Sequence, residues 1–474
     1  MNSFWNKKNS FNKKPASVSV KTETRKFRAP ATSNPPTKKQ KTARGDSLER
    51  DSSNSLEGSS SNSTSSTTRS TWLRDNHTPI TRNPITANKE SNTFDKATKS
   101  SRQLVNEQAM QYTSYFDDLN GSGSDPFPTI QLQLPAGIEE YALAVPKNRD
   151  NYSPIHDLVD TIKILIAWFI PPQSRGLFGN TETYHSSTQS STSSETSTSI
   201  LRLLQRSFNR RQGKLFIDAI DQFNREFQQL VQTDQITKHL ESLQGIHPQV
   251  WTHITTQSYQ RIVGPRVADL RHYEPFSSNI YGEIMPPFVA HLAHRMHIGP
   301  QTLVVDLGAG VGNVVLQLSL AAGCKSFGVE VMDKPADLAQ VQLSEGRARS
   351  AMYSLDCGEM YLEKEDFCHS STLSRKLPDA DVVLINNYAF SAQLNEQLSL
   401  LFLDLKDGAK IVSLKPFLPA NFRISDATVN SPLAILQMQK GDYFPGSVSW
   451  TDKGDHYYIH TVDRTALNRY LQGK

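Results

Sequence analysis

A strand, glycine turn, helix and second strand between Leu303 and Glu330 restrict this chain to a small set of folds. The segment reads LVVDLGAGVGNVVLQLSLAAGCKSFGVE, with the first strand ending near Asp306 and the second closing on Glu330. A glycine turn between a strand and a helix brings backbone N–H groups close to a ligand at the helix N-terminus. An acidic residue closing the second strand is placed to accept hydrogen bonds from ribose hydroxyls. The segment therefore predicts a site for a nucleoside cofactor.

The turn itself indicates which cofactor. It reads D-x-G-x-G-x-G, with Asp306 ahead of Gly308, Gly310 and Gly312, and not the G-x-G-x-x-G of dinucleotide enzymes. A carboxylate at this position favours S-adenosylmethionine, whose amino group and sulfonium are cationic. A turn with a purely structural role is the alternative, but the flanking strand and helix and Glu330 favour cofactor binding.

Strands and helices alternate from about residue 288 onward, which predicts an α/β parallel sheet. Asp306, Glu330, Asp366 and Asn386 all stand at predicted strand ends. Ligands of such sheets bind outside the carboxyl ends of the strands, so we expect these four side chains to converge. Two aromatic strands, 447–451 and 456–461, are predicted to close the domain as a hairpin.

The charge of the chain is concentrated near its N-terminus. Residues 1–50 hold nine Lys and four Arg against three acidic residues, about +10, whereas the whole chain of 474 residues is +4. Lys, Asn, Ser, Thr and Pro dominate residues 1–125, which we predict to be a disordered basic arm. Such an arm on a mildly acidic body favours a polyanionic partner.

The remainder divides into two predicted parts. Residues 126–280 are predicted to be mostly helical, with a helix over 155–170 that stops at Pro171-Pro172 and a disordered Ser/Thr-rich insertion at 181–199. Apolar residues between Ile217 and Val231 recur at helical spacing and predict one apolar face, and a further helix over 250–263 is predicted to end at Gly264-Pro265. Residues 281–474 are predicted to form a Rossmann-like core. The three cysteines give neither a disulfide framework nor metal-ligand spacing, so no metal site is predicted. The sequence likewise predicts no secretory signal and no membrane span.

Nine motifs in one order give the chain a family resemblance. They are HYEPFSSNIYGE, VVDLGAGVGN, GVE, EDF, INNYAF, IVSLKPF, SVSWT, YYIHT and DRT. In this order they resemble the catalytic domain of the disruptor-of-telomeric-silencing family, the non-SET methyltransferases that modify a lysine on the globular core of histone H3. The resemblance covers roughly residues 126–474 and implies a class I S-adenosylmethionine-dependent methyltransferase sheet.

The resemblance also implies roles for individual residues. The expected cofactor-binding residues are Tyr281, Glu283, Asp306, Gly308, Gly310, Asn313, Glu330, Asp366, Phe367 and Asn386. Asn386 would also lie near the transferred methyl group, and the lysine channel would be lined by Phe276, Ser413, Trp450 and Tyr457. The chain departs from some members at Ile284 and Asn313, where they carry Thr and Gln.

The resemblance implies a nuclear chromatin regulator with a role in telomeric silencing. Its substrate would be nucleosomal histone H3, and the basic arm 1–50 would contact DNA or an acidic histone surface. An RNA or small-molecule methyltransferase on the same fold is one alternative, since fold does not fix substrate. A chromatin-binding scaffold without catalysis is the other. The degree of methylation and the oligomeric state do not follow from the sequence.

Overall fold

The computed structural model of the chain describes residues 62–82, 98–119, 125–180, 199–271 and 282–473. The described residues from Thr68 onward belong to one compact unit. Among all described residues, no helix is both long and apolar enough to cross a membrane.

Fourteen α-helices are assigned within the described residues. In chain order they are α1 (Asn62–Asp75), α2 (Ser101–Glu107), α3 (Pro154–Ile164), α4 (Arg175–Phe178), α5 (Ile200–Asn209), α6 (Gly213–Gln232), α7 (Gln235–Ser242), α8 (Pro248–Ile262), α9 (Pro286–Met296), α10 (Asn313–Ala322), α11 (Asp333–Met352), α12 (Ser371–Lys376), α13 (Ala392–Leu401) and α14 (Thr465–Gln472). A turn of π-helix, Leu165–Phe169, extends α3, and a 3₁₀ segment, Gly264–Arg271, follows α8.

Thirteen strands are assigned in the same residues. They are β1 (Ile80–Thr81), β2 (Tyr112–Ser114), β3 (Thr129–Leu134), β4 (Gly137–Ala142), β5 (Ala144–Pro146), β6 (Gly245–Ile246), β7 (Leu303–Leu307), β8 (Lys325–Glu330), β9 (Met360–Lys364), β10 (Val382–Ile385), β11 (Lys410–Ser413), β12 (Leu436–Tyr443) and β13 (Asp455–Val462).

Seven of these strands form the central sheet, in the order β12-β13-β11-β10-β7-β8-β9. Strand β13 runs antiparallel to both of its neighbours, and the other pairs are parallel. Strands β8 and β9 follow β7 on one side of it, and the chain then returns to place β10 on the other side of β7. This order, with one reversed strand near the edge, is that of the class I methyltransferase sheet, and it confirms the predicted fold class.

The central helix α10 explains why the glycine segment is so apolar. Every residue from Asn313 to Ala322 is buried, because the helix lies on the sheet and is covered by α8, α9 and α11. Burying apolar surface is the main favourable term in folding, at about 25 cal/mol per Å². The start of α10, and with it the glycine turn, is therefore held firmly against the carboxyl end of β7.

A network of buried charges joins the helical part to the core. Arg261 of α8 pairs with Glu139 of β4 at 3.2 Å and with Asp157 of α3 at 2.7 Å. Arg349 of α11 pairs with the second oxygen of Glu139 at 3.1 Å and with Glu345 at 2.7 Å. Both arginine side chains are fully buried, so each carboxylate is needed to compensate a charge that water cannot reach.

The helices predicted from apolar spacing are confirmed with small shifts of their ends. The helix expected over 155–170 is α3 with its π-helical turn, and it stops before Pro171-Pro172. The apolar face expected between Ile217 and Val231 belongs to α6, where Phe223 and Phe227 are fully buried.

The predicted start of ordered structure is wrong. Helix α1, strand β1 and helix α2 all lie within residues 1–125, so disorder does not extend through 62–82 or 98–119. Strand β1 pairs with β6 although both are two residues long. In α1 Trp72 is buried whereas the neighbouring Leu73 is exposed, so the helix carries no recognisable apolar run in the sequence. The basic arm 1–50, the boundary near 280 and the predicted insertion 181–199, apart from Ser199, lie outside the described residues.

The predicted C-terminal hairpin is also wrong in its first strand. The partner of β13 is β12, Leu436–Tyr443, and not 447–451. Strand β12 reads LQMQKGDY, an edge strand too polar to stand out by hydropathy. Residues 447–449 instead pair with 283–285, through a bridge between Val448 and Ile284.

Candidate active site

A cavity of about 300 Å³ opens where β7 and β8 end, at the point where the sheet order reverses. Nine of the residues expected at the cofactor site lie around it. They are Glu283, Asp306, Gly308, Gly310, Asn313, Glu330, Asp366, Phe367 and Asn386. The convergence expected for the four strand-end side chains is therefore what the structure shows.

The glycine turn presents its backbone toward this cavity. Gly308 and Gly310 line the cavity with φ values of +81° and +56°, a region that side chains with a Cβ rarely adopt. Gly312 immediately precedes α10, whose first N–H groups have no partner inside the helix. The turn thus combines close backbone approach with the positive end of a helix dipole.

Asp306 is the most electrostatically perturbed side chain of the cavity. It is buried, and no residue described by the structure donates a hydrogen bond to its carboxylate. Burial, and then the nearby Glu330, raises the pKa of Asp306 to about 7. A buried carboxylate in this state gains most from a cation placed beside it.

Glu330 is held by the backbone on two sides. One oxygen accepts a hydrogen bond from the N–H of Gly310 at 2.8 Å, and the other accepts from the N–H of Met332 at 2.8 Å. Burial nevertheless raises the pKa of Glu330, because the desolvation outweighs these bonds. Each oxygen retains a further lone pair for a ligand hydroxyl.

Asp366 and Phe367 follow β9 after a short turn. The Asp366 carboxylate accepts from the N–H of Cys368 at 2.8 Å and lies 3.1 Å from Nδ1 of His369. Its side chain is 41 % exposed, in contrast to the buried Asp306. The ring of Phe367 is buried and lies 6.4 Å from that of Phe390, which also lines the cavity.

The two asparagines after β10 have different surroundings. Asn386 donates from Nδ2 to the carbonyl of Gly282 at 3.0 Å, while its buried Oδ1 has no partner among the described residues. Asn387 is turned away and accepts from the N–H groups of Leu414 and Lys415 at 3.0 and 2.8 Å. Only Asn386 thus offers an unused acceptor to the cavity, and Asn387 braces the end of β11.

Trp450 lies beside the cavity without lining it. A Cβ placed on Gly282 would lie 2.6 Å from the Trp450 ring, so glycine is needed for this packing. The Trp450 ring lies 5.4 Å from that of Tyr388, which is 43 % exposed. These two aromatic side chains therefore flank the segment that carries Asn386.

Two other expected channel residues do not line the cavity. Ser413 is buried and donates its hydroxyl to the carbonyl of Lys415 at 2.8 Å. Tyr457 is buried with its hydroxyl 2.9 Å from Nε2 of His291 and its ring 5.3 Å from that of Phe288. Phe276 and Tyr281 lie outside the described residues. The lysine channel stays a prediction.

Several lining residues were not predicted from the sequence. They are Ala309, Val311, Val314, Val331, Met332, Phe390 and Leu394. Phe390 stands in the aromatic run after Asn386 and could have been found there. Leu394 lies in the first turn of α13 and carries no signal in the sequence, because its spacing is that of any core helix.

This chain is similar in sequence to a family model and to curated fungal proteins. A family model for "Histone methylation protein DOT1" matches residues 259–462. A protein of Aspergillus fumigatus named "Histone-lysine N-methyltransferase, H3 lysine-79 specific" is 37 % identical over 350 residues, which are 73 % of this chain and 67 % of that protein. A protein of Mycosarcoma maydis with the same name is 43 % identical over 292 residues, 61 % of this chain and 37 % of the relative.

Likeness to solved structures is limited to part of the chain. An RNA methyltransferase from Salinibacter ruber in complex with S-adenosyl-L-homocysteine is 18 % identical, with a TM-score of 0.24, over 37 % of this chain and 91 % of that chain. An O-methyltransferase from Bacillus cereus is 13 % identical, with a TM-score of 0.27, over 44 % of this chain and 90 % of that chain.

The family model and the relatives are histone methylation proteins, as the order of motifs in the sequence predicts. This chain spans about two thirds of the Aspergillus relative and little more than a third of the Mycosarcoma relative. The family match includes β7 to β13 and every described residue of the cavity. The chain belongs to the DOT1 family of histone methylation proteins.

Proposed function

We propose that this chain is an S-adenosylmethionine-dependent histone-lysine N-methyltransferase whose substrate is the lysine on the core of histone H3 that its relatives' names specify, lysine 79. The observation that carries the proposal is the convergence of Asp306, Glu330 and Asn386 on one cavity at the switch point of a class I sheet.

The residues present fit S-adenosylmethionine. Asp306 would face its cationic amino-acid part, Glu330 would accept from its ribose hydroxyls, and Asp366 with Phe367 would hold the adenine. The fit is supported by the unpartnered Oδ1 of Asn386, by the missing donor at Asp306 and by the left-handed backbone of Gly308. When bound, the cofactor supplies an electrophilic methyl group on a sulfonium.

The protein's part in the reaction is mainly alignment. Methyl transfer to an amine is an in-line displacement, so orientation can supply much of the rate enhancement. The Asn386 side chain, fixed by its bond to Gly282, holds one edge of the reacting space. The aromatic rings of Trp450 and Tyr388 beside this segment can contact a methylated ammonium.

The incoming lysine must lose a proton before it reacts, since its ordinary pKa is about 10.4. Among the described residues that line the cavity there is no histidine, and the acidic ones are placed for the cofactor. We therefore propose that no dedicated general base acts and that the proton leaves to solvent before the amine engages. A rate–pH profile controlled by one His or Glu side chain would contradict this.

Cofactor binding separates an enzyme from a scaffold. We expect S-adenosylhomocysteine to bind the full chain in a calorimetric titration and Gly308→Arg to abolish the binding, because the new side chain needs an unfavourable backbone conformation. A chain that binds no cofactor but still binds nucleosomes would be a scaffold.

The basic arm 1–50 is proposed to contact nucleosomal DNA or an acidic histone surface. Its charge of about +10 is the support for this proposal. Deleting residues 2–50 should weaken nucleosome binding and flatten its dependence on salt. Deleting 181–198, a tract without Lys or Arg, should leave both unchanged. An unchanged salt slope after the first deletion would refute the role of the arm.

A nuclear location and a part in telomeric silencing would follow from a chromatin substrate. Lys38, Lys39 and Lys41 of the arm resemble an import patch. A fluorescent fusion should enter the nucleus, and replacing the three lysines by Ala should reduce its entry. Cytoplasmic retention of the intact fusion would contradict the proposal.

A further inference from the structure

Three buried side chains from distant parts of the chain form a continuous hydrogen-bonded chain. Asp75 Oδ2 lies 3.0 Å from Nδ1 of His291, and Nε2 of His291 lies 2.9 Å from the hydroxyl of Tyr457. Asp75 and His291 are each 4 % exposed, and Tyr457 is 2 % exposed. We call these residues the Asp75–His291–Tyr457 relay.

The relay depends on how α1 lies along α9. Trp72, one turn before Asp75, places its ring 4.9 Å from that of His291 and 6.0 Å from that of Phe288. One turn along α9, His294 Nε2 donates to the carbonyl of Thr78 at 3.0 Å. The end of α1 and the segment after it are thus fastened to α9 on both sides of the relay.

The protonation pattern of the relay follows from its surroundings. Burial lowers the pKa of His291, although Asp75 opposes this effect. A neutral imidazole beside a carboxylate carries its proton on Nδ1, so Nε2 accepts the hydroxyl proton of Tyr457. The other charged or titratable groups that face the relay are Arg74 of α1, which lies 3.4 Å from Asp75 Oδ1, His294 and Arg295 of α9, and Asp442 of β12.

The ring of Tyr457 is enclosed by elements that lead to the cavity. Gly441 of β12 touches it so closely that a Cβ there would lie 2.5 Å from the ring. On its other side is Phe288, which follows the cavity-lining residues Glu283 and Ile284. A buried hydroxyl that lost its partner would be left unsatisfied, which would favour a shift of the ring.

We propose that Asp75 and His291 are positioning residues for methyl transfer: they anchor the hydroxyl of Tyr457, whose ring packs on Phe288, and so hold in place the cavity-lining segment 283–284 that precedes α9. This inference rests on the proposed function. It makes the end of α1 part of the catalytic unit, although Asp75 lies ahead of the segment matched by the family model, which begins at residue 259.

The test compares variants of the full chain in methyl transfer to nucleosomes. Asp75→Ala and His291→Leu should each lower kcat about tenfold and leave cofactor affinity unchanged. His291→Gln, whose amide oxygen can still accept from the tyrosine, should recover kcat to within about threefold of wild type. Equal losses in the Gln and Leu variants would overturn the proposal.

A matched control distinguishes positioning from simple fastening. His294→Ala removes a hydrogen bond between the same two parts of the chain but does not touch Tyr457, so kcat should stay unchanged. In a Tyr457→Phe background, Asp75→Ala should cause no further loss, because the anchored hydroxyl is already absent. A loss with His294→Ala equal to that with Asp75→Ala, or additive losses in the double variant, would refute the inference.

A readout without catalysis keeps this inference separate from the proposed function. In protein labelled with ¹⁵N-histidine, His291 should show the Nδ1–H tautomer, and Asp75→Ala should shift it toward Nε2–H; His291→Gln identifies the signal. If the wild type does not methylate nucleosomes, the proposed function fails. The Nε2–H tautomer in the wild type would overturn the relay itself.

Discussion

Glu330 accepts a hydrogen bond from the backbone N–H of Gly310 at 2.8 Å, so the end of β8 holds the glycine turn that follows β7. The bond joins two parts of the cofactor segment that stand 20 residues apart. The residue expected to recognise ribose therefore also shapes the loop expected to approach the amino-acid part of the cofactor. Losing its carboxylate should affect both functions together.

Glu330→Gln tests this double role. The substitution replaces one acceptor oxygen by an NH₂ group, which would face the N–H of Gly310 or Met332. We expect the Kd for S-adenosylhomocysteine to rise about tenfold to hundredfold, since an unsatisfied buried group costs about 1–3 kcal/mol. Calorimetry measures the change, and Glu359→Gln, at an exposed residue before β9, is the control. Equal affinities of the two variants would contradict the assignment.

Asp306 should make cofactor affinity depend on pH. Its pKa of about 7 means that the carboxylate ionises between pH 6 and pH 8. Because the ionised form attracts the cationic cofactor, affinity should rise across this range and then level off. Asp306→Asn should bind weakly with no such rise. An affinity of the wild type that is flat between pH 6 and 8 would contradict this account.

The same carboxylate should reduce stability at neutral pH. The folded-state pKa lies above the unfolded value of about 3.9, so the folded protein binds more protons between about pH 4 and pH 7. The stability contributed by Asp306 is therefore lost as pH rises through this window. Asp306→Asn should raise Tm by a few degrees at pH 8 and have little effect at pH 4. A lower Tm of the variant at pH 8 would contradict this prediction, because it would mean that other groups of the folded protein stabilise the ionised carboxylate.

Asn386 and Asn387 should separate rate from stability. Asn386→Asp places a second oxygen against the carbonyl of Gly282, so we expect kcat to fall at least about 100-fold with a Tm near that of the wild type. Asn387→Ala removes the acceptor of two backbone N–H groups and should lower Tm. Steady-state kinetics and thermal unfolding check both effects. A lower Tm with Asn386→Asp and a lower kcat with Asn387→Ala would contradict the roles given to the two residues.

The buried charge network should dominate the stability of the N-terminal part. Glu139→Gln removes the carboxylate that both buried arginines share, which leaves Arg261 paired with Asp157 alone and Arg349 with Glu345 alone. The substitution should lower the free energy of unfolding by about 3–5 kcal/mol. The neighbouring Glu140→Gln breaks a pair with Arg102 that is about one third exposed, and should cost less than about 1 kcal/mol. Urea unfolding measures both, and similar losses would show that Glu139 is not critical.

Local pattern was enough to predict the sheet core and the strand-end residues around the cavity. The period of the strands, the glycine turn and the polar residues that end each strand are all properties of short segments, and Asp306, Glu330 and Asn386 were found by them. The ends of the helices at Pro171 and Gly264 were likewise set by residues that cannot continue a helix.

Contacts between distant segments could not be predicted in this way. The Asp75–His291 pair joins residues 216 apart, and nothing near Asp75 distinguishes it from other surface acids. Strand β12 was missed because an edge strand is solvated on one side and carries polar residues, whereas the aromatic segment at 447–451 looked more like a strand. The hydroxyl of Ser413 donates to the backbone carbonyl of Lys415 and not into the cavity, and the sequence alone does not indicate this orientation.

Transfer of a labelled methyl group from S-adenosylmethionine is the measurement that decides whether this chain methylates nucleosomal histone H3. The substrates are intact nucleosomes, free histone H3 and RNA, and Gly308→Arg is the inactive control. We expect label on nucleosomal H3, little label on free histone or RNA, and none with the variant. Absence of label on nucleosomes, in a protein that binds the cofactor, would contradict the proposed substrate.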